Sequence, residues 1–418
     1  MNTRLLLSTG FLFLFFFLSA QPQKVLFIGN SYTYANNLPL MLSKLASSVG
    51  DSVNYASSTA GGQTLQGHSG SATTISMIQQ GSWDYVVLQE QSQLPSFPMS
   101  QVSTEVFPFA KILCDTIRHF NNCTQPLFFM TWGRQNGDQG NCANWPPVCS
   151  YEGMDSLLSL RYRMMADMNQ ALVSPAGAVW HYIRDNYPSM NLYSSDGSHP
   201  SLLGSYAAAC AFYTMVFQKS PALIMDDYGI LHSEAVIIRT AAEIVVYDSL
   251  SKWNIGKYIP ESDFIVAAIG DSISTTNNSK FADTYLWDFG DGNISSLFEP
   301  THKYASVGSY SVSLQASKCD SKDVADTTFT IFVSSVEERE NVDFKILPNP
   351  IEEYFTIKSD KSIGATNVCL YNMAGKKIRS FSNFLATEKR FNVADLPKGV
   401  YFLTFVANSE LIRIKIVK

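Results

Sequence analysis

The stretch Lys24-Val25-Leu26-Phe27-Ile28-Gly29-Asn30-Ser31-Tyr32 decides how the rest of the chain is read. Its apolar run has the length of a buried strand. The run stops at Gly29, and Ser31 follows two residues later. From Tyr32 to Ala46 the apolar residues Leu38, Met41, Leu42, Leu45 and Ala46 recur at helical spacing, which predicts one helix. Strand, tight Gly-containing turn, serine, helix is the layout that exposes a serine at the carboxyl edge of a parallel sheet, where open α/β folds place their sites. Ser31 is therefore a candidate nucleophile. The competing reading is a helix N-cap, the commoner use of a serine in that place.

The same alternation continues to about Tyr258. Val53 to Ser57 reads as a second strand and runs into Thr59-Ala60-Gly61-Gly62-Gln63-Thr64, a Gly-rich turn opening a helix. Trp83 to Leu88 reads as a buried strand ending in Gln89-Glu90-Gln91-Ser92, and Val102 to Phe120 as a helix. Pro126 to Thr131 is a further apolar strand, followed by a Gly/Asn-rich loop that starts at Trp132-Gly133-Arg134 and carries Cys142 and Cys149. Ser156 to Leu172 reads as a helix, Gly177 to Ile183 as the last strand, and Leu202 to Phe217 as an apolar helix. This pattern predicts a three-layer α/β/α domain of flavodoxin-like type with a parallel sheet. The polar loops then converge on one rim.

At 418 residues the chain is long for one domain, and about 150 residues per domain predicts two or three. Its 46% hydrophobic and 16% charged content is globular. The net charge of −6 is mild and the basic residues are scattered, so no nucleic-acid partner is expected. Met1 to Ala20 has the form of a secretory signal peptide, with Arg4, an apolar core from Leu5 to Leu18 and a small-residue end at Leu18-Ser19-Ala20. A membrane anchor is the rival reading, but the run is short for a span, so none is expected in the mature protein. No cysteine follows the cleavage site, so no lipid anchor is indicated. Export permits disulfides among the seven cysteines, and the local pairs Cys142/Cys149 and Cys114/Cys123 are candidates, with other connectivities open. No His/Cys spacing suits a metal, so neither metal nor cofactor is expected.

Beyond Tyr258 the segments become short, β-prone and broken by Gly, Asn, Asp and Ser, which suggests a small β-sandwich. It contains Trp287-Asp288-Phe289-Gly290-Asp291-Gly292, then His302-Lys303-Tyr304, then Gly308-Ser309-Tyr310-Ser311-Val312. These pieces, in order, resemble the PKD domain family, an immunoglobulin-like sandwich. The last segment opens on Leu347-Pro348-Asn349-Pro350. It continues through Tyr371-Asn372-Met373-Ala374-Gly375-Lys376 to Leu396-Pro397-Lys398-Gly399-Val400-Tyr401-Phe402-Leu403. This is similar to the C-terminal sorting domain of the type IX (Por) secretion pathway of Bacteroidetes-type bacteria. The resemblance implies a second small β-sandwich, handling by that secretion machinery, and a secreted or cell-surface location. The expected organisation is a signal peptide at 1–20, an α/β domain at 21–258, a PKD-like domain at 259–335 and a sorting domain at 336–418.

A serine nucleophile needs a base, and the base needs an orienting group. Among six histidines, His199 stands in Asp196-Gly197-Ser198-His199-Pro200, a rim loop before the helix at Leu202. Asp196 is close enough in a turn to accept the Nδ1 proton. A lone Asp-x-x-His is weak, and an Asx turn capping the next helix competes with it. Gly29-Asn30-Ser31, Gly62, a polar amide after the third strand and Asp196-x-x-His199 occur in the order of the SGNH/GDSL hydrolase family, which residues 24–220 resemble. The resemblance implies Ser31 as nucleophile, His199 as base and then acid, and Asp196 as its partner. The oxyanion donors would be the Ser31 and Gly62 N–H groups and a third-block amide. Two departures stand out. Asn30 replaces the usual aspartate, and Gln89-Glu90-Gln91-Ser92 replaces the usual Gly-x-Asn-Asp. Gln91 falls on the asparagine position, with Gln89 as the alternative. Ile269-Gly270-Asp271-Ser272 spells the family's literal motif, but no helix pattern or Asp-x-x-His follows it. His302 is expected to be a structural part of the PKD motif, and His68 to lie on a helix surface.

Trp132, Arg134 and Trp145 suit a sugar platform, with a purely structural loop as the alternative, and Glu90 could tune the site. The combined expectation is an exported serine esterase acting on O-acyl, first of all O-acetyl, groups of carbohydrate. A lipid or aryl esterase, a peptidoglycan acyl hydrolase and a non-catalytic glycan-binding or adhesion protein are the rivals.

Overall fold

The computed structural model describes residues 21–331, 344–373, 375–407 and 410–418. The signal-peptide reading of 1–20 lies outside the described residues. The chain divides into two compact units after Tyr258.

The first unit is built on five parallel strands, β1 (Gln23–Ile28), β2 (Val53–Ser58), β3 (Tyr85–Leu88), β4 (Gln125–Phe129) and β5 (Leu172–Ser174), in the order β2-β1-β3-β4-β5. This is the flavodoxin-like order. Val25 to Ile28 are buried on both faces, which explains a continuous apolar run without alternation. The order reverses between β1 and β3, and ligands bind outside the carboxyl ends of strands at such a switch. Gly29 and Gln89, the first residues past those two strands, open onto that crevice.

Helices α1 (Ser31–Tyr34), α2 (Leu38–Ser47), α3 (Leu65–Ser69), α4 (Ala72–Ile78), α5 (Met99–Glu105), α6 (Phe107–Phe120), α7 (Tyr151–Met168), α8 (Ala176–Asn186), α9 (Leu202–Phe217) and α10 (His232–Val245) cover the sheet. Helix α9 is buried from Gly204 to Val216, the position of a helix wrapped by others.

The single helix expected over 32–46 is broken. Asn36 and Asn37 both take left-handed backbone (φ 51° and 53°) between α1 and α2, and Pro39 starts α2. Asparagine tolerates that conformation, and proline fits a first helical turn. The last strand is also displaced. It is the three-residue Leu172–Ser174, whereas Gly177 to Ile183 lie inside α8. Val179, Trp180 and Ile183 are buried at helical spacing, and a three-residue strand is too short to show a period. Helix α7 accordingly ends at Met168, not at Leu172. Cys142 and Cys149 form a disulfide, while Cys114 is a free, buried thiol on the core face of α6, so the pairing with Cys123 does not form.

The second unit is entirely β. The strands β6 (Phe264–Ile269), β7 (Ser272–Asn277), β8 (Thr284–Asp288), β9 (Ile294–Ser295), β10 (Thr301–Lys303), β11 (Gly308–Lys318) and β12 (Ser321–Ile331) form two sheets, β10-β7-β6 and β12-β11-β8-β9. Their core holds Ile273, Trp287, Phe289, Tyr304, Val312, Leu314 and Ile331. Gly270-Asp271 is the two-residue loop of the β6–β7 hairpin, so Ser272 opens a strand, not a helix. His302 stacks on Phe289 at 4.1 Å and bonds Asp291 at 2.8 Å, as a part of that sandwich. Strands β13 (Phe344–Leu347), β14 (Tyr354–Asn372), β15 (Lys377–Ser380), β16 (Phe384–Asn392), β17 (Val400–Ala407) and β18 (Glu410–Val417) follow, with a separate core around Phe355, Leu370, Leu403 and Phe405.

Helix α9 approaches the segment before it closely at Gly204. A Cβ there would lie 2.3 Å from the Leu192 carbonyl oxygen and 2.3 Å from the Trp180 ring. Gly204→Ala is expected to lower stability by roughly 1–3 kcal/mol through overpacking. A shift of the urea midpoint at unchanged slope measures it.

Candidate active site

The site starts from the bend after β1. A Cβ on Gly29 would lie 2.5 Å from Thr33 Oγ1 and 2.6 Å from Gln89 Oε1, so only glycine fits. Without that Cβ, the fully buried Gln89 carboxamide reaches under the bend. Its Oε1 accepts from the Asn30 N–H at 2.8 Å and from the Thr33 hydroxyl at 2.9 Å, and its Nε2 donates to the Glu90 carbonyl. From the other side His68 Nε2 donates to the Gly29 carbonyl at 2.8 Å. That contact puts the proton on Nε2, so Nδ1 accepts from the Thr74 hydroxyl at 2.9 Å. Burial holds His68 below its usual pKa, against the carbonyl contact. His68 is thus a buried, neutral brace and not the expected surface residue.

Asn30 has its own structural reason. Its Oδ1 accepts from the Tyr32 N–H at 3.1 Å, and its Nδ2 donates to the Gln63 carbonyl at 2.9 Å. The amide therefore joins the Ser31 turn to the Gly61-Gly62 turn, and a carboxylate could not donate that second bond. Gly62 takes positive φ (70°), and its N–H has no partner among the described residues. Ser31 is the first residue of α1, and its N–H has no partner among the described residues, whereas the Thr33 and Tyr34 N–H groups go to the Asn30 carbonyl at 3.0 and 3.1 Å. Helix α1 is a single turn, so it places only a short dipole behind Ser31.

The loop before α9 brings in the remaining groups. His199 Nε2 lies 2.7 Å from Ser31 Oγ, and His199 Nδ1 lies 2.5 Å from Asp196 Oδ2. Asp196 Oδ1 accepts from the backbone N–H of Ser198 and of His199, each at 2.9 Å, and from the Ser194 hydroxyl at 2.9 Å. Partial burial raises the Asp196 pKa, but the bonds from His199, Ser198 and Ser194 outweigh it and hold the carboxyl well below the usual range. The His199 and Asp196 side chains remain about 40% and 47% exposed, so the pair is open to solvent.

The third block divides its residues between two tasks. Glu90 is buried, and its carboxylate accepts from the Gln91 N–H at 2.6 Å and the Leu65 N–H at 3.2 Å, which ties this block to the start of α3. Burial pushes its pKa up to about 8, partly opposed by those two bonds. It is a structural clamp and does not face substrate. Gln91 is half-buried. Its Oε1 accepts from the N–H groups of Gln93 and Leu94 at 2.8 and 3.2 Å, which fixes the amide with its NH2 as donor. One hydrogen of that NH2 goes to Gln93 Oε1 at 3.0 Å. Gln89, by contrast, has both ends of its amide engaged below the bend.

Trp132 is not a sugar platform. It is fully buried, stacked on Trp180 at 3.7 Å and Tyr32 at 5.1 Å, and its Nε1 donates to the Ser198 carbonyl at 3.1 Å. It props the loop that carries Asp196 and His199 from below. Trp145 is half-buried and donates to the Ser96 carbonyl. Arg134 pairs with Asp138 at 3.3 Å and keeps 27% of its side chain exposed. Tyr32 carried no signal beyond following Ser31, yet its hydroxyl meets Ser198 Oγ at 2.6 Å and its ring meets His199 edge-on. Asn36 Nδ2 faces Pro200 O, Ser201 O and Ser205 Oγ within 3.1 Å, holding the same loop. The Asn36-Asn37 pair was the one local hint of that break. Among the described residues no group of three or more His, Cys, Asp or Glu could hold a metal, and no helix is long and apolar enough to cross a membrane.

Two outcomes follow from this geometry. Asn30→Asp removes the donor to Gln63 and is expected to cost about 1–3 kcal/mol, measured by chemical denaturation. Glu90 keeps its proton in the folded chain up to about pH 8, whereas an unfolded chain releases it near 4.5. Stability is therefore expected to fall as pH rises between those values and to level off above them, with a slope of at most about 1.4 kcal/mol per pH unit from this group. In Glu90→Gln that contribution is absent, and denaturation midpoints across pH 5–8 for both proteins test it.

Residues 267–333 match the PKD domain model and residues 345–418 the secretion system C-terminal sorting domain. A microbial collagenase of Vibrio alginolyticus is 34% identical over 110 residues, which cover 25% of this chain and 13% of that protein. The chain thus spans about an eighth of that relative's length. A structure from Slackia heliotrinireducens described as an SGNH hydrolase is 25% identical, covers 46% of this chain and 98% of its own, and has a TM-score of 0.39. A DUF4886 family protein from Bacteroides uniformis is 18% identical, covers 56% of this chain and 100% of its own, and has a TM-score of 0.47. The sorting domain marks the protein for type IX export to the cell surface or beyond. The chain is an exported multidomain protein in which a parallel-sheet α/β domain precedes a PKD domain and a type IX sorting domain.

Proposed function

We propose that the α/β domain is a serine esterase that removes O-acyl groups, first of all O-acetyl, from carbohydrate. One observation carries this reading. Ser31 Oγ, His199 Nε2, His199 Nδ1 and Asp196 Oδ2 form a continuous hydrogen-bonded line, although Ser31 and His199 are 168 positions apart in sequence. Such a line has the form of a nucleophile, a base and an orienting carboxylate. Export and the open rim support a bulky extracellular substrate.

In this reading Ser31 Oγ attacks the ester carbonyl carbon while His199 Nε2 takes its proton. Asp196, held ionised, fixes the Nδ1–H tautomer and stabilises the imidazolium. The oxyanion accepts from the Ser31 and Gly62 N–H groups and from the Gln91 amide, with one such donor worth roughly 3 kcal/mol of barrier. The intermediate collapses, the C–O bond to the sugar breaks, and His199 returns the proton to the leaving alkoxide. Water, deprotonated by His199, then attacks the acyl-Ser31 ester and releases the carboxylic acid. Gln91 is favoured over Gln89 because its NH2 is oriented as a donor near the surface, whereas Gln89 is spent beneath the bend.

Acetate release from acetylated xylan and acetylated pectin, alongside hydrolysis of 4-nitrophenyl acetate, tests the reading. Ser31→Ala and His199→Ala are each expected to lose about a thousandfold or more in kcat. Rates equal to wild type overturn the triad. Gln91→Ala is expected to lose about a hundredfold in kcat and about 1–2 kcal/mol of stability, since the Gln93 and Leu94 N–H groups lose their acceptor. If Gln91→Ala is silent, the oxyanion assignment is wrong and the triad stands.

A further inference from the structure

Beside the catalytic loop lies a cavity of about 230 Å³. Pro188, Met190 and Leu192 give it apolar surface, and Gln135, Arg184 and Asn191 give it hydrogen-bonding groups. We propose that it is a subsite for one sugar ring of the acylated polymer, held through the ring's hydroxyls. The proposal rests on the esterase reading and assigns the position of its carbohydrate.

Its walls are the base of the loop that carries Asp196 and His199. Tyr193, which also lines the cavity, pairs with Pro200, the residue after His199. The Ser194 N–H donates to the His199 carbonyl at 2.9 Å, and the Gln135 N–H donates to the Gly197 carbonyl at 2.8 Å. A ring seated here is therefore a near neighbour of the sugar that bears the scissile ester.

The polar groups suit hydroxyls. Arg184 lies on the Tyr151 ring at 3.8 Å and also bonds Tyr193, which fixes its guanidinium at the cavity wall. Asn191 Oδ1 accepts from the Tyr193 N–H at 3.1 Å, which leaves its NH2 to donate. Arg184 is the charged residue at the cavity wall, beside the amides of Gln135 and Asn191, and such hydrogen-bonding groups suit the hydroxyls of a sugar ring. The apolar surface can take the C–H face of that ring.

The test compares wild type, the surface double variant Gln135→Ala/Asn191→Ala, and Arg184→Lys on acetylated xylan, acetylated pectin and 4-nitrophenyl acetate. On the polymer that wild type deacetylates best, kcat/KM is expected to fall about tenfold in each variant, chiefly through KM, while 4-nitrophenyl acetate changes less than about twofold. An unchanged polymer kcat/KM overturns the subsite, and so does an equal fall on both substrates. If wild type hydrolyses 4-nitrophenyl acetate but neither polymer, the carbohydrate assignment and the subsite fall together while the triad survives. If wild type hydrolyses none of the three, the esterase reading itself fails.

Discussion

The Gln89 carboxamide beneath the Gly29-Asn30-Ser31 bend is the contact on which the site depends. One oxygen accepts both the Asn30 N–H and the Thr33 hydroxyl in a fully buried setting. A buried acceptor that satisfies two donors holds the chain in one conformation, because any other leaves polar groups unpaired. Gly29 is the condition for it, since a Cβ there would occupy the space of the amide. Ser31 is thus aimed by a side chain from the neighbouring strand end, not by a long helix behind it.

Around that contact the three rim segments are cross-linked by polar groups of unlike kinds. Asn30 reaches the Gln63 carbonyl, Glu90 reaches the Leu65 N–H, and His68 reaches back to the Gly29 carbonyl. The loop that carries Asp196 and His199 is supported from a different side. The stacked Tyr32, Trp132 and Trp180 rings lie under it, and Asn36 and the Trp132 indole hold its carbonyls. An aromatic stack with well-placed hydrogen bonds is stiff, which keeps His199 at hydrogen-bonding distance from Ser31 while half of the loop stays in water.

The departures of this sequence from Gly-Asp-Ser and Gly-x-Asn-Asp make physical sense together. An asparagine at position 30 donates where an aspartate could not. A glutamine at position 89 is long enough to reach under the bend. The amide left at the surface is Gln91, one alternation further along. Residues that look like substitutions within a motif are a connected set of partners.

Several features were legible in the chain itself. The unbroken apolar runs of β1, β3 and β4 and the buried spacing of α2 and α6 required a doubly wound sheet, since such strands must be covered on both faces. Ser31, Gly62, Asp196 and His199 could be placed on one rim because each follows a strand or precedes a helix. The PKD and sorting modules were legible from turn and aromatic spacing. The short β5, the break at Asn36-Asn37 and the true place of Trp132 were not, because three residues show no period and an aromatic ring in a loop carries no sign of its burial. Nor could local sequence tell which of two glutamines faces inward, or that His68 braces the bend at Gly29. Those depend on contacts between residues 39 to 59 positions apart, and only the packed tertiary structure brings them together.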